Sequence, residues 1–154
     1  MTILPEVDFA WSVRVRRTDE GDARAYARRA SFDVGSQASL RESDGHPSAV
    51  EYALGALGGD LVHALAREAA ARRLPIDAIE IALSGRLNNI LVHLGVVGEE
   101  GHPGFQSIEG VVYVGTAASD HDVRSAWQSA LRCSPLFSTL SRSADVRIDL
   151  RIVD

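Results

Sequence analysis

The chain has 154 residues, of which 45% are hydrophobic and 24% charged, a balance that fits one soluble globular domain able to bury its own core. A net charge of −5 gives no electrostatic reason to expect nucleic acid or an anionic membrane as partner. Its single cysteine, Cys133, excludes an internal disulfide and a Cys-based zinc cluster, and all 16 basic residues are arginine, which removes lysine Schiff bases and lysine-dependent phosphate loops. No run approaches the ~20 apolar residues of a membrane span. The N-terminal MTILPEVDFAW lacks the basic and long apolar regions of a secretion signal, so the expected compartment is the cytoplasm.

Residues 1–10 read as a loose lead-in to a single domain over 1–154. Trp11 to Arg17 alternates apolar and polar residues, the period of a half-buried strand. Thr18-Asp19-Glu20-Gly21-Asp22 is turn chemistry, and Ala23 to Phe32 reads as the returning strand of a hairpin. A short strand and a loop are expected over 33–46. Pro47 to Arg73 is then a long helix. Ser48 and Glu51 form a capping box at its start, Pro75 follows its end, and Val50, Leu54, Leu57, Leu61 and Leu65 make one narrow apolar stripe. Gly55, Gly58 and Gly59 lie mid-helix, each costing about 1 kcal/mol of helix propensity relative to alanine, so a close neighbour is expected there.

Ile76 to Leu83 is β-branched and alternating, hence a strand. Residues 85–97 fit either a short helix or more sheet, and 99–104 is a loop full of breakers. Ile108 to Thr116 is a strand. Ser119 caps a second helix whose buried face is Val123, Ala126, Trp127, Ala130 and Leu131, with Asp120 and Asp122 favourable to the dipole in its first turn. Ser134-Pro135 ends it, Leu136 to Leu140 adds a helical turn, and Asp145 to Val153 is a closing strand. The order describes an α+β chain with mainly antiparallel sheets.

The candidate chemistry centres on the long helix. Asp60 and His63 lie three residues apart on one helix face, where they form an acid/base pair or a solvated polar strip extended by Arg67. The five histidines show no HxH or HExxH spacing, so no metal is expected. Cys133 falls in the last turn of a helix, where the dipole disfavours a thiolate, so it reads as structural. The glycines resemble a phosphate loop only superficially, since they lie inside a helix and nothing basic follows at the right place.

Pro47 to Leu54 (PSAVEYAL), the Ala/Gly-rich helix after it, Pro103 to Ile108 (PGFQSI) and Ser134 to Leu140 (SPLFSTL) occur in an order and spacing that resembles the OsmC/Ohr superfamily of bacterial organic-hydroperoxide and osmotic-stress proteins. The resemblance runs from about Trp11 to the end. It implies an OsmC-like fold and an intertwined homodimer, with two long central helices per subunit wrapped by two sheets and active sites at the subunit interface. The peroxidases of the family use one cysteine in the long helix and a second directly before the proline that follows the later helix. By spacing these positions fall on Asp60 and Ser134, with Cys133 one residue early. The helix-start glutamate of the family falls on Val50, beside Glu51, and its catalytic arginine is left open among Arg17, Arg24 and Arg28. The expected protein is therefore an OsmC-like homodimer without thiol peroxidase activity. An interface pocket would bind or transform a small organic molecule, with Asp60 and His63 as acid/base or polar anchors and Glu51, Leu57, Cys133 and Ser134 as binding residues, and without a cofactor. The alternatives are a non-catalytic dimeric stress-associated binding protein, or a one-cysteine organic hydroperoxide reductase working through Cys133.

Overall fold

The structure is a computed structural model that describes residues 10–35 and 45–153. Residues 1–9 of the lead-in expected over 1–10, and most of the loop expected before the long helix, lie outside these residues. The chain divides into two compact units, residues 1–52 and 53–154.

In the first unit, β1 (Arg14–Arg17), β2 (Ala23–Ala27) and β3 (Ala30–Val34) form an antiparallel sheet in that order. The one long returning strand expected over 23–32 is in fact two. The chain turns at Arg28-Arg29, with Arg28 in the left-handed region at φ 54°, and Ala27 pairs with Ala30. A turn built from arginine lacks the glycine or asparagine that ordinarily marks positive φ, so the pattern ran through it. The cross-strand register puts Val15, Ala25 and Phe32 on one face and Arg16, Arg24 and Asp33 on the other. On the polar face Arg24 grips Asp33 with two charge-assisted hydrogen bonds of 2.6 and 2.8 Å. The Arg24 guanidinium thereby holds the Asp33 carboxyl below the usual carboxylate range.

The end of β3 ties to the start of the long helix. Gly35 donates its N–H to the Pro47 carbonyl at 2.8 Å, and a side chain at Gly35 would run into the His46 carbonyl. The Tyr52 hydroxyl donates to the Asp33 carbonyl at 2.8 Å, and its ring packs on Phe32 at 5.2 Å. The capping box forms as expected. Ser48 Oγ accepts the Glu51 N–H at 3.3 Å, and the Glu51 carboxylate accepts the Ser48 N–H at 2.8 Å.

The helix α1 (Ala49–Ala71) runs on into the second unit, which also holds β4 (Ala78–Leu87), the one-turn helix α2 (Ile90–His93), β5 (Phe105–Gly115), α3 (Asp120–Cys133), α4 (Pro135–Leu140) and β6 (Asp145–Val153). Leu57, Leu61 and Leu65 of the expected stripe are fully buried, packed with Ile108, Val112 and Val114 of β5. Val123, Ala126, Trp127 and Ala130 of α3 complete this core, while Leu131 packs at its margin. Gly58 has the close neighbour its cost implied: a Cβ there would sit 3.2 Å from the Ile81 side chain of β4. Gly55 and Gly59 have nothing within 4 Å. The ambiguous stretch 85–97 resolves into both alternatives, because β4 continues to Leu87 and Asn89 then caps α2, its side chain accepting the Leu91 and Val92 N–H groups.

The sheets are mainly antiparallel, as expected, with one parallel pair. The sheet runs β4-β5-β6, and although β4 pairs antiparallel with β5, β5 and β6 are parallel. The connection between them is a helical crossover through α3 and α4, the linkage that parallel neighbours require.

The Ser48 N–H and hydroxyl hold the Glu51 carboxyl below its ordinary range. A carboxyl depressed in the folded state adds stability that is present above its unfolded pKa and lost as pH falls through the folded value. Glu51→Gln should therefore melt below the parent at pH 7, and the gap should narrow as pH falls below the ordinary glutamate range, as thermal melts across that range would show. A gap unchanged by acid would mean that the charge of Glu51 contributes nothing to the cap.

Candidate functional site

Two positions from opposite ends of the second unit meet at the corner between α3 and α4. Asp60 lies half-buried on α1, in the turn after Gly58-Gly59. Ser134 ends α3 and starts α4, and only 1% of it is exposed. Its hydroxyl donates to Asp60 Oδ2 at 2.6 Å and accepts the Phe137 N–H at 2.9 Å. The same Asp60 oxygen accepts the Leu136 N–H at 3.1 Å.

These bonds account for the start of α4. A helix begins with N–H groups that have no partner within it. Pro135 at the first position has none to satisfy, Leu136 gives its own to Asp60, and Phe137 gives its own to Ser134. A carboxylate is the favourable charge at this end of a helix. Asp60 is thus a cap supplied across 76 residues of chain, and α1 is pinned by it to the α3–α4 corner.

The other expected site residues lie elsewhere. His63 is exposed, one turn further along α1, and is not among the hydrogen-bond partners of Asp60. Leu57 is fully buried and belongs to the core rather than to an open surface. The Glu51 carboxylate is taken up by the Ser48 N–H and hydroxyl. Cys133 is exposed, and its thiol lies 3.9 Å from the Glu68 carboxylate. Its neighbour is a hydrogen-bond acceptor, not the cation that would steady a thiolate. Of the three candidate arginines, Arg24 is held by Asp33, Arg28 sits in the β2–β3 turn, and Arg17 is half-buried neither by charge partner nor by core but exposed at the end of β1.

The backbone N–H of Leu136 had not been expected in the site. Its signal was present, since a serine followed by proline before an apolar run is a helix start, and such a start needs acceptors. Further along α1, Val62, Ala66 and Ala70 line a groove of about 410 Å³ with Leu74, Ile76 and Ile79. Its side chains are mostly apolar, with Asp77 among them. Among the described residues no group of three or more His, Cys, Asp or Glu side chains is placed to hold a metal ion, and no helix is long and apolar enough to cross a membrane.

The cap gives a graded prediction. Asp60→Ala removes the acceptor of a buried hydroxyl and of a helix N–H, and should cost about 2–3 kcal/mol of stability. Asp60→Asn keeps one acceptor oxygen and should cost about 1 kcal/mol, and Ser134→Ala about 1–2 kcal/mol. Denaturant unfolding of the three variants measures this order. An Asp60→Ala loss below about 0.5 kcal/mol, the range of ordinary surface changes, would show that the cap is not formed in solution.

No protein-family model and no curated protein matches this chain. Solved structures do match it. The OsmC-like protein from Mycoplasma pneumoniae superposes with a TM-score of 0.81 over 96% of this chain and 100% of its own, at 11% identity. The organic hydroperoxide resistance protein OsmC from Legionella pneumophila gives a TM-score of 0.68 at 10% identity, over 94% of this chain and 98% of its own. OhrB of Bacillus subtilis, an organic hydroperoxide resistance protein, gives 0.61 at 17% identity, over 93% of this chain and 98% of its own. At these identities the likeness is one of fold. This chain has the OsmC-like fold shared by OsmC and organic hydroperoxide resistance proteins.

Proposed function

We propose that this chain is a cytoplasmic OsmC-fold homodimer without thiol peroxidase chemistry, and that it binds or transforms a small organic molecule in a pocket at the subunit interface. The observation that carries this reading is the 2.6 Å hydrogen bond between Asp60 and Ser134. By the order of the strings in the sequence, these are the two positions at which the peroxidases it resembles have cysteines. A two-cysteine peroxidase oxidises one thiolate to a sulfenic acid and resolves it with the second as a disulfide. A carboxylate and a hydroxyl can do neither.

What remains is an acceptor and a donor at a helix corner. Asp60 Oδ2 is committed to Ser134 and Leu136, so the second carboxylate oxygen is the one available to a ligand. His63, exposed on the same helix, serves as the second polar anchor. The homodimer is supported by the open face of α1 at Gly55 and Gly59 and by the exposed apolar side chains of the first unit. The commitment of Asp60 as a structural cap favours a second reading, a dimeric stress-associated protein that binds without catalysing. The one-cysteine reading has only Cys133, whose neighbour Glu68 is a carboxylate.

Hydroperoxide consumption separates these chemistries. With cumene hydroperoxide and a dithiol reductant, turnover should be indistinguishable from buffer, and Cys133→Ser should change nothing. Robust turnover abolished by Cys133→Ser would establish the one-cysteine enzyme and overturn the reading. Screening small organic molecules by thermal shift against the parent and His63→Ala then tests the pocket: ligands that raise the melting temperature of both equally would remove His63 from it.

A further inference from the structure

The end of α1 and the C-terminal half of α3 meet along a polar seam that neither the core nor the Asp60 corner uses. Ser125 and Ser129 are four residues apart and share one face of α3, with Arg132 three residues further on. Arg72, just past the end of α1, reaches across to both serines. It donates to the Ser125 hydroxyl at 2.7 Å and to the Ser129 hydroxyl at 2.6 Å. Arg132 donates to the same Ser129 hydroxyl at 2.9 Å. Two guanidiniums therefore converge on one neutral oxygen, in a serine that is 9% exposed. Among the described residues, the one carboxylate within ion-pair distance of either is Glu68, 3.7 Å from Arg72.

Joining the two helices does not require this arrangement. Arg72 alone bridges them through both serines, and Arg132 bonds to a serine of its own helix. The helix dipole favours a cation near a C-terminus, which accounts for each arginine singly. It does not account for their convergence. Like charges that share an acceptor repel, and a hydroxyl carries no charge to offset them. An anion between them would. Arg72 and Arg132 stand against Glu68 alone, so one further negative charge balances the cluster. Donors for it are at hand. Among the described residues both serine hydroxyls only accept, so each keeps its own proton to give. The guanidinium N–H groups not spent on the serines offer the planar fork that matches a carboxylate.

We propose that this seam is a binding site for the carboxylate of a small organic acid, held by Arg72 and Arg132 with Ser125 and Ser129 as further donors. Glu68 sets the selectivity: it leaves the site one net positive charge, which suits a monoanion and works against a phosphate dianion. The site goes beyond the function proposed above and does not depend on it. Asp60 lies about three helical turns before Arg72, and none of its hydrogen-bond partners belongs to the seam.

A titration followed by nitrogen–proton NMR tests the site. Isotope-labelled full chain is titrated with sodium acetate, with ionic strength held constant by sodium chloride. The side-chain N–H signals of Arg72 and Arg132, assigned by their loss in the variants, should shift together and saturate with one dissociation constant. Arg72→Gln and Arg132→Gln should each weaken binding about tenfold or more, the loss of a charge-assisted hydrogen bond. Arg147→Gln, on the exposed face of β6, should leave it unchanged. Should Arg72→Gln fail to fold, Arg132→Gln decides alone, because its bond lies within α3 and the Arg72 bridge stays intact. Shifts that are absent or grow linearly with acetate overturn the proposal, and so does binding that survives in Arg132→Gln. Sodium phosphate binding more tightly than acetate at neutral pH would overturn the assignment to a carboxylate.

Discussion

The geometry of the second unit depends on one carboxylate. A six-residue helix that opens with proline has too few internal hydrogen bonds to persist by itself. Asp60 and Ser134 satisfy the donors at its start. Because Asp60 belongs to α1, the same bonds fix where α3 must end. The constraint passes on through packing. At Gly58, α1 presses against Ile81 of β4, and Leu57, Leu61 and Leu65 pack with β5 and α3 in one core. The crossover through α3 and α4 then delivers β6 beside β5 in parallel register, from Ser107 with Asp145 to Gly115 with Val153. Moving the corner would move the start of β6, and a shift of one residue there would turn its apolar side chains from core to water.

Local signals in the chain were legible because their physics is local. The Ser48–Glu51 box needs only four residues, and it forms. The apolar faces of α1 and α3 follow from a 3.6-residue period, and most of those residues are buried, with Val50, Leu54 and Leu131 half-buried at the margins. The Arg28-Arg29 turn was missed because arginine adopts positive φ there without any of the usual turn residues. The one parallel pair was not legible for another reason: alternation identifies a strand but says nothing of which way it runs. The length of the connection between β5 and β6 held the missing information, since a crossover of a dozen or more residues containing a helix is what parallel neighbours use.

The candidate site was legible in its positions and not in its contacts. Nothing periodic links residue 60 to residue 134, 74 positions apart, and only the order of three short strings put both in one site. Leu57 shows the opposite case. Its place in the apolar stripe already implied the core, and its complete burial agrees with the stripe rather than with a binding surface. His63 shares a helix face with Asp60 by spacing, yet proximity on a helix is not contact, and here the partners of Asp60 come from another element.

A hydrogen-bonded cap and a redox pair place opposite demands on the same corner. Two thiols that take turns as nucleophile and resolving group must separate and approach in each cycle, so the helix ends carrying them have to yield. Asp60 and Ser134 do the reverse. Their bond holds the start of α4 whatever the redox state of the surroundings, and moving Asp60 away would strand a buried hydroxyl and the Leu136 N–H at a cost of about 2–3 kcal/mol. An aspartate held this way is pre-organised, which favours recognition of a ligand through its remaining oxygen over chemistry that needs the corner to move. In the first unit, by contrast, the ties to α1 are a few hydrogen bonds at Gly35, Asp33 and Ser48, with Ala25 as the buried apolar residue of its sheet among the described residues. Small local cores and solvent-facing hydrogen bonds mark the low-stability end of a structure.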